Sequence, residues 1–290
     1  MNHKFYTIKS IHAALEAGNA ILEVYHSADF EVEKKADTSP LTLADRRAHE
    51  VIMQHLAQID IPVLSEEGKN ISYDERRSWD TFWLVDPLDG TKEFIKKNGE
   101  FTVNIAMISE NKPVAGIVFV PDKNILYFAS RELGAYRADA SQITDLVNDK
   151  LGKPNRLEDL SDSEIDAVLS ELISQSAKLP VNDSSSQPYT IAGSRSHSTP
   201  ELEAFVEEKR KEHGEVEFIS AGSSLKLCLV AEGRADIYPR TGPTMEWDTG
   251  AGQAIVEFSG GKVYQYDTTE PLEYNKKNLL NPWFVALKGD

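Results

Sequence analysis

The 290-residue sequence predicts a mixed α/β protein in two halves. Three patterns predict it. The chain opens with two helices whose apolar residues recur at helical spacing. Six short strand candidates joined by short turns follow, which favours a meandering, largely antiparallel sheet packed on helices. In the last hundred or so residues, strands and helices alternate, which favours an α/β layer.

The first helix is expected over 5–26, where Ile8, Ile11, Leu15, Leu22 and Tyr25 share a face. The second spans about 43–59, with Ala44, Ala48, Val51, Ile52, His55, Leu56 and Ile59 on one side. Thr42-Leu43-Ala44-Asp45 at its start resembles a capping box. Strands are expected at 61–65, 80–86, 101–109, 113–120, 125–129 and 133–137, with turns such as Pro121-Asp122-Lys123-Asn124 between them. From 140 to 188 the pattern weakens: 168–173 reads as helical and Asn182 to Pro188 as an exposed loop. A boundary between an N-terminal domain (1–150) and a C-terminal domain (151–290) is placed in this stretch. Strands at 189–193, 215–220, 234–238, 262–266 and 283–288 then alternate with helices at 199–212, 223–232 and 248–259. No internal repeat is apparent.

Hydrophobic residues make up 40% and charged residues 27%, the balance of a soluble globular protein. Lysine and arginine number 31 against 47 aspartates and glutamates, a net charge of −16. That excludes a nucleic-acid polymer as the default partner but leaves room for a small phosphorylated ligand held by local cations. The single cysteine, Cys228, permits no internal disulfide and fits a reducing, cytoplasmic compartment. No apolar run has the length of a signal peptide or a membrane span, so any contact with the inner membrane is expected to be peripheral. Without an export signal, Asn70-Ile71-Ser72 and Asn182-Asp183-Ser184 read as chance glycosylation triplets. Gly250-Ala251-Gly252 lacks the third glycine of a dinucleotide fingerprint and reads as a close-packing helix surface.

Four segments place acids at the ends of elements: Thr42 to Asp45, Ser65-Glu66-Glu67-Gly68, Asp86-Pro87-Leu88-Asp89-Gly90-Thr91, and Glu246-Trp247-Asp248. In the third, Pro87 is expected to end an apolar strand. Asp86 and Asp89 can then face one side with the Leu88 carbonyl between them, and Gly90 permits the tight turn into a short helix at Thr91. Free amides at that helix start can hold a phosphate oxygen. Hard oxygen ligands of this kind suit magnesium. If the four segments converge, their carboxylates cannot all ionise without cations.

Taken together, Ser65 to Gly68, Trp83 to Thr91, and Glu246 to Asp248 with Gly250 and Ala251 resemble the inositol monophosphatase superfamily of magnesium-dependent, lithium-sensitive phosphomonoesterases. The resemblance runs from Asp45 to Asp248. Asp89-Gly90-Thr91-Lys92-Glu93-Phe94, followed by Asn98 to Ala106, is most similar to the 3′(2′),5′-bisphosphate nucleotidase branch. Its bacterial form hydrolyses adenosine 3′,5′-bisphosphate (PAP) in sulfate assimilation. Inositol phosphatases typically carry Asn-Phe after the threonine, where this chain has Lys92-Glu93-Phe94. The segment 140–188 is extra relative to the compact bacterial form.

The resemblance implies a layered α/β/α/β/α sandwich in two subdomains with the site between them, and two or three magnesium ions per site. It implies that Glu66, Asp86 and the Leu88 carbonyl hold one ion, that Asp86, Asp89 and Asp248 hold a second, and that Asp45 lies near a weaker third and pairs with Thr91. Thr91, Asp45 and Glu66 are the implied catalytic residues, orienting a metal-activated water and taking its proton. The Gly90 and Thr91 amides are the implied phosphate cradle. Gly193 to His197, Ser223 to Lys226 and Tyr238 to Arg240 match segments of the nucleotide side. The implied substrate-binding set is therefore Ser194, His197, Ser224, Lys226 and Arg240, beside Glu66, Leu88, Asp89, Gly90, Thr91 and Asp248. The implied reaction converts PAP to AMP and phosphate, with the sulfated analogue PAPS as a further substrate, in a monomer or homodimer. Inositol monophosphate or fructose 1,6-bisphosphate hydrolysis on the same scaffold is the alternative. The intact acids and Thr91 argue against a non-catalytic metal- or nucleotide-binding regulator.

Overall fold

A computed structural model describes residues 3–27, 32–34, 40–68, 70–151, 159–181, 188–194 and 199–289. The expected loop at 182–187, and Arg195 and His197, lie outside these residues. Two helices come first, α1 (His3–Tyr25) and α2 (Leu43–Leu56), with a short antiparallel pair between them, β1 (Val32–Lys34) and β2 (Pro40–Thr42).

The main sheet has seven strands in chain order: β3 (Val63–Ser65), β4 (Thr81–Asp89), β5 (Thr102–Ser109), β6 (Lys112–Val120), β7 (Ile125–Ser130), β8 (Gly134–Asp139) and β9 (Ser176–Lys178). β3 runs parallel to β4, and every later pair is antiparallel. Side chains alternate across a strand, and here both faces are covered. Trp83, Val85, Val103, Ile105, Ile117, Phe119 and Phe128 pack against α1 and α2. Phe82, Leu84, Ala106, Ile108, Val118, Val120 and Tyr127 face the opposite way.

The second sheet has five strands: β10 (Tyr189–Ser194), β11 (Val216–Ala221), β12 (Ile237–Arg240), β13 (Lys262–Gln265) and β14 (Phe284–Leu287), in the order β11-β10-β12-β14-β13. α8 (Leu225–Ala231) and α9 (Glu246–Phe258) lie between the two sheets, sharing one core with the second face of the main sheet. α7 (Pro200–His213) covers the outer face through Phe205, packed with Ile191 and Ile237. These layers make the expected α/β/α/β/α sandwich.

The fit of α9 is tight. A Cβ on Gly116 of β6 would lie 2.4 Å from the Ala251 carbonyl oxygen. One on Gly250 would lie 2.9 Å from Leu84 Cδ2, and one on Gly252 2.4 Å from Leu227 Cδ1. The small residues serve packing, as the sequence suggests.

Two expectations are corrected. Pro87 does not end its strand: β4 continues to Asp89 through a bulge, where a residue without an N–H is tolerated. The stretch after 140 holds more than the helix expected at 168–173: its described residues carry α5 (Ala140–Leu151), α6 (Asp162–Ser174), which contains that helix, and β9. α6 buries Ile165, Val168, Leu169 and Leu172 in the core that α1 and α2 cover, and β9 pairs with β8. The division expected at residue 150 thus falls inside material that serves the main sheet. No helix among the described residues is long and apolar enough to cross a membrane.

Candidate active site

The site is built where β4 ends. Asp86 pairs with Asn104 and Asp89 with Thr102, so β4 advances three residues against two on β5. That extra residue swings Asp86 and Asp89 into reach of one another. Asp86 Oδ1 accepts from the Leu88 amide at 3.1 Å, which fixes the carboxylate within the bulge. Gly90 then takes φ +91°, a left-handed conformation that a side chain disfavours, and turns the chain into the short helix α4 (Thr91–Ile95). The Thr91 hydroxyl lies 3.4 Å from the Leu88 carbonyl oxygen.

The other half comes from the layer between the sheets. Asp248 sits in the first turn of α9, and its Oδ2 accepts from the Met245 amide at 2.8 Å. Asp86, Asp89 and Asp248 each place a carboxylate oxygen within 4.8 Å of the others. Glu66 follows β3 and is placed beside Asp86 by its amide, which donates to the Val85 carbonyl at 3.1 Å. Asp45 is fully buried in the first turn of α2. Glu66 and Asp45 stand outside the tight triad, yet both act on Asp86 electrostatically.

Burial pushes the Asp86 carboxyl well above the ordinary carboxylate range, and the charges of Glu66, Asp89, Asp248 and Asp45 push it further. Asp248 is raised to about 8 by burial and by Asp89. Burial also raises Asp89, against the opposing effects of Lys226, Ser224 and Asn104. Such a cluster resists full ionisation on its own. Its donors are all hard oxygens, the set suited to a hard divalent cation.

The acids open onto a cavity of about 520 Å³. Glu66, Leu88, Gly90, Thr91, Ser194, Ser224, Lys226 and Arg240 all line it. Every expected substrate residue among the described ones is therefore at one cavity. Lys226 is buried, donates to the Ser223 carbonyl at 2.6 Å, and has its ammonium pushed down to about 8 chiefly by burial. Arg240 Nη2 donates to the Pro243 carbonyl at 3.0 Å, while its buried Nε has no hydrogen-bond partner. Cys228 is wholly buried in α8, a core residue as its sequence context indicates.

Ser224 turns toward the acids. Its hydroxyl lies 3.0 Å from Asp89 Oδ2 and 2.8 Å from the Asp248 carbonyl, and it accepts from Asn104 Nδ2 at 2.9 Å. Asn104 belongs to the Asn98 to Ala106 run of the resemblance but was given no site role, although a buried amide in the apolar strand β5 is a signal that could have found it. Glu100 was also missed. It accepts from the Gly222 amide at 2.9 Å, and its carbonyl accepts from the Ser223 hydroxyl at 3.0 Å, joining the edge of β5 to the turn before α8. Glu246, although part of an acidic motif, accepts from the Asn275 and Lys276 amides and from Lys276 Nζ instead.

The sequence model of the inositol monophosphatase family matches residues 2–285, which takes in every acid of this site. The chain belongs to the inositol monophosphatase family. It is 41% identical over 275 residues to the 3′(2′),5′-bisphosphate nucleotidase CysQ of Escherichia coli O157:H7, covering 93% of this chain and 95% of that one. It is 30% identical to CysQ of Haemophilus influenzae over 273 residues, 93% of this chain and 87% of the relative. The crystal structure of CysQ from Bacteroides thetaiotaomicron, a bacterial member of this family, is similar with a TM-score of 0.83 at 48% identity, covering 98% and 97% of the two chains. The suppressor protein SuhB of Bartonella henselae shares the fold, with a TM-score of 0.68 at 24% identity over 97% and 92%. As an inositol monophosphatase family member of the nucleotidase branch, the chain is an enzyme of the phosphoric monoester hydrolase class.

Proposed function

We propose that the protein is a magnesium-dependent phosphatase that removes the 3′-phosphate of PAP, giving AMP and phosphate, with PAPS as a further substrate. The observation that carries this reading is a pairing within one cavity, whose lining includes both a carboxylate triad and the cationic side chains Lys226 and Arg240. Curated CysQ relatives named as 3′(2′),5′-bisphosphate nucleotidases support the choice of substrate.

Asp86, Asp89 and Asp248, with Glu66 and the Leu88 carbonyl, are the groups that would hold the ions. Bound magnesium supplies the acidity that makes a water nucleophilic near neutral pH and the positive charge that steadies the leaving oxygen. The residues do the rest. Thr91 orients the attacking water. A hydroxyl alone is a poor base, so the water's proton passes to Glu66 or Asp45. The Gly90 and Thr91 amides hold the phosphate being cleaved. Arg240 holds the second phosphate across the ribose, where an anion would satisfy its orphaned Nε. Cys228, buried and with its thiol pushed well up by burial, is no candidate nucleophile, which agrees with direct attack by water.

Phosphate release in magnesium, compared across PAP, PAPS, inositol 1-phosphate and fructose 1,6-bisphosphate, tests the reading. PAP is expected to give the highest kcat/KM among the three compounds that carry no sulfate, and a preference for inositol 1-phosphate would overturn the branch-specific substrate. Arg240→Ala is expected to raise KM for PAP at least tenfold, about 1.4 kcal/mol, with little effect on inositol 1-phosphate, which lacks a second phosphate. Equal losses on both would return Arg240 to a role in the fold.

Magnesium should also stabilise the protein. A ligand that binds only the folded state adds RT ln(1 + [L]/Kd), about 2.7 kcal/mol at a hundredfold excess over Kd. A melting temperature identical in EDTA and in excess magnesium, at matched ionic strength, would contradict a shared cation cage.

A further inference from the structure

Away from the cavity, α1 and α2 bring a second set of ligand-type side chains together. His12 and Glu16 lie one turn apart on α1, and His55 lies in the last turn of α2. His55 Nε2 is 2.7 Å from Glu16 Oε2, and His12 Nε2 is 3.2 Å from Glu16 Oε1. The two imidazoles meet edge to face, with centroids 4.7 Å apart. One ligand atom from each of the three residues lies within 4.8 Å of the other two. Asp45 and His55 stand ten residues apart on α2, about 15 Å along the helix, so this group is distinct from the acid cluster.

Two features separate it from an ordinary helix-to-helix hydrogen bond. Both imidazoles are almost wholly buried, at 2% and 1% exposure. Yet Nδ1 of each imidazole has no hydrogen-bond partner. Buried imidazole nitrogens normally find one. The shared carboxylate is also in the right state: the two imidazoles hold Glu16 well below the ordinary carboxylate range, so it is ionised.

We propose that His12, Glu16 and His55 form a second cation site, for a zinc-type divalent ion that clasps α1 to α2. Two imidazole nitrogens and one carboxylate oxygen are a zinc donor set, and three protein ligands leave a fourth position for water. Around a tetrahedral ion at about 2.0–2.2 Å, ligand atoms lie about 3.3 Å apart, so His55 and Glu16 need only separate slightly from their present contact. Glu16 is 42% exposed, which gives solvent a side from which to reach the ion. Imidazole ligands favour zinc over magnesium, so the two sites select different metals.

The test uses the whole protein, stripped with chelator and then held in saturating magnesium so that the acid cluster is occupied. Calorimetric titration with zinc is expected to show one tight site. Cobalt is expected to give the intense visible bands of a four-coordinate ion, and X-ray absorption of the zinc-loaded protein is expected to show two imidazole ligands. Glu16→Gln and His55→Gln are expected to weaken zinc at least tenfold, while circular dichroism and magnesium-dependent phosphate release stay at the level of the unmodified protein. Failure of zinc to bind in magnesium, or absorption spectra showing oxygen ligands alone, would overturn the proposal without touching the phosphatase reading. So would unchanged zinc affinity in Glu16→Gln. The spectroscopic measurement needs no variant, so a misfolded mutant cannot leave the question open.

Discussion

Asp86→Asn is expected to abolish turnover of PAP at saturating magnesium, a fall of about a thousandfold or more, or about 4 kcal/mol of transition-state stabilisation. Asparagine keeps the shape of the side chain and removes its negative charge. Asp86 is central to the cluster: its carboxyl is the one on which Glu66, Asp89, Asp248 and Asp45 all act. The same substitution relieves that mutual repulsion, so in EDTA the variant should melt no lower than the unmodified protein. Together, the two measurements separate loss of cation binding from loss of fold. Near-normal kcat in the variant would remove Asp86 from the metal-binding set.

Thr91→Ala is expected to lower kcat by about a hundredfold, close to 2.7 kcal/mol, and to leave KM nearly unchanged. The hydroxyl is placed by the turn at Gly90 and by its approach to the Leu88 carbonyl, next to Asp89 in the chain. Its contact matters while the water is being deprotonated. A loss confined to KM would make Thr91 a substrate-binding residue instead.

Much of this architecture was legible from sequence because its signals are local. Ile8, Ile11 and Leu15 repeat at helical spacing, and β4 through β8 are apolar runs separated by short turns. The acids could be grouped because each sits at the end of such an element. What escaped depends on partners distant in the chain. α5 is rich in Ser141, Asp145, Asn148 and Asp149, weaker helix formers whose helix is held by burying Ile143, Leu146 and Val147. β9 has only three residues and no apolar alternation, and exists because the edge of β8 offers it hydrogen bonds. The start of α6 was there to be read in Ser161 and Glu164, whose carboxylate accepts from the Ser161 amide at 2.8 Å and from its hydroxyl at 2.6 Å. The bulge at Pro87 was not foreseen, because a proline in a sheet ordinarily marks an edge or an end.

The clearance around α9 separates two kinds of evolutionary change. A methyl group at Gly250 or Gly252 would drive the helix that carries Asp248 against Leu84 or Leu227, and one at Gly116 would push β6 into the backbone of that helix. The seat of α9 is thus set at the scale of a single methyl group, and a shift of this helix would carry Asp248 away from Asp86 and Asp89. The turn from Thr241 to Thr244 borders the same cavity more loosely, since a Cβ on Gly242 would meet nothing nearer than 3.6 Å. Sequence change in descendants of this chain is therefore expected to collect at that turn before it reaches α9 and the acids.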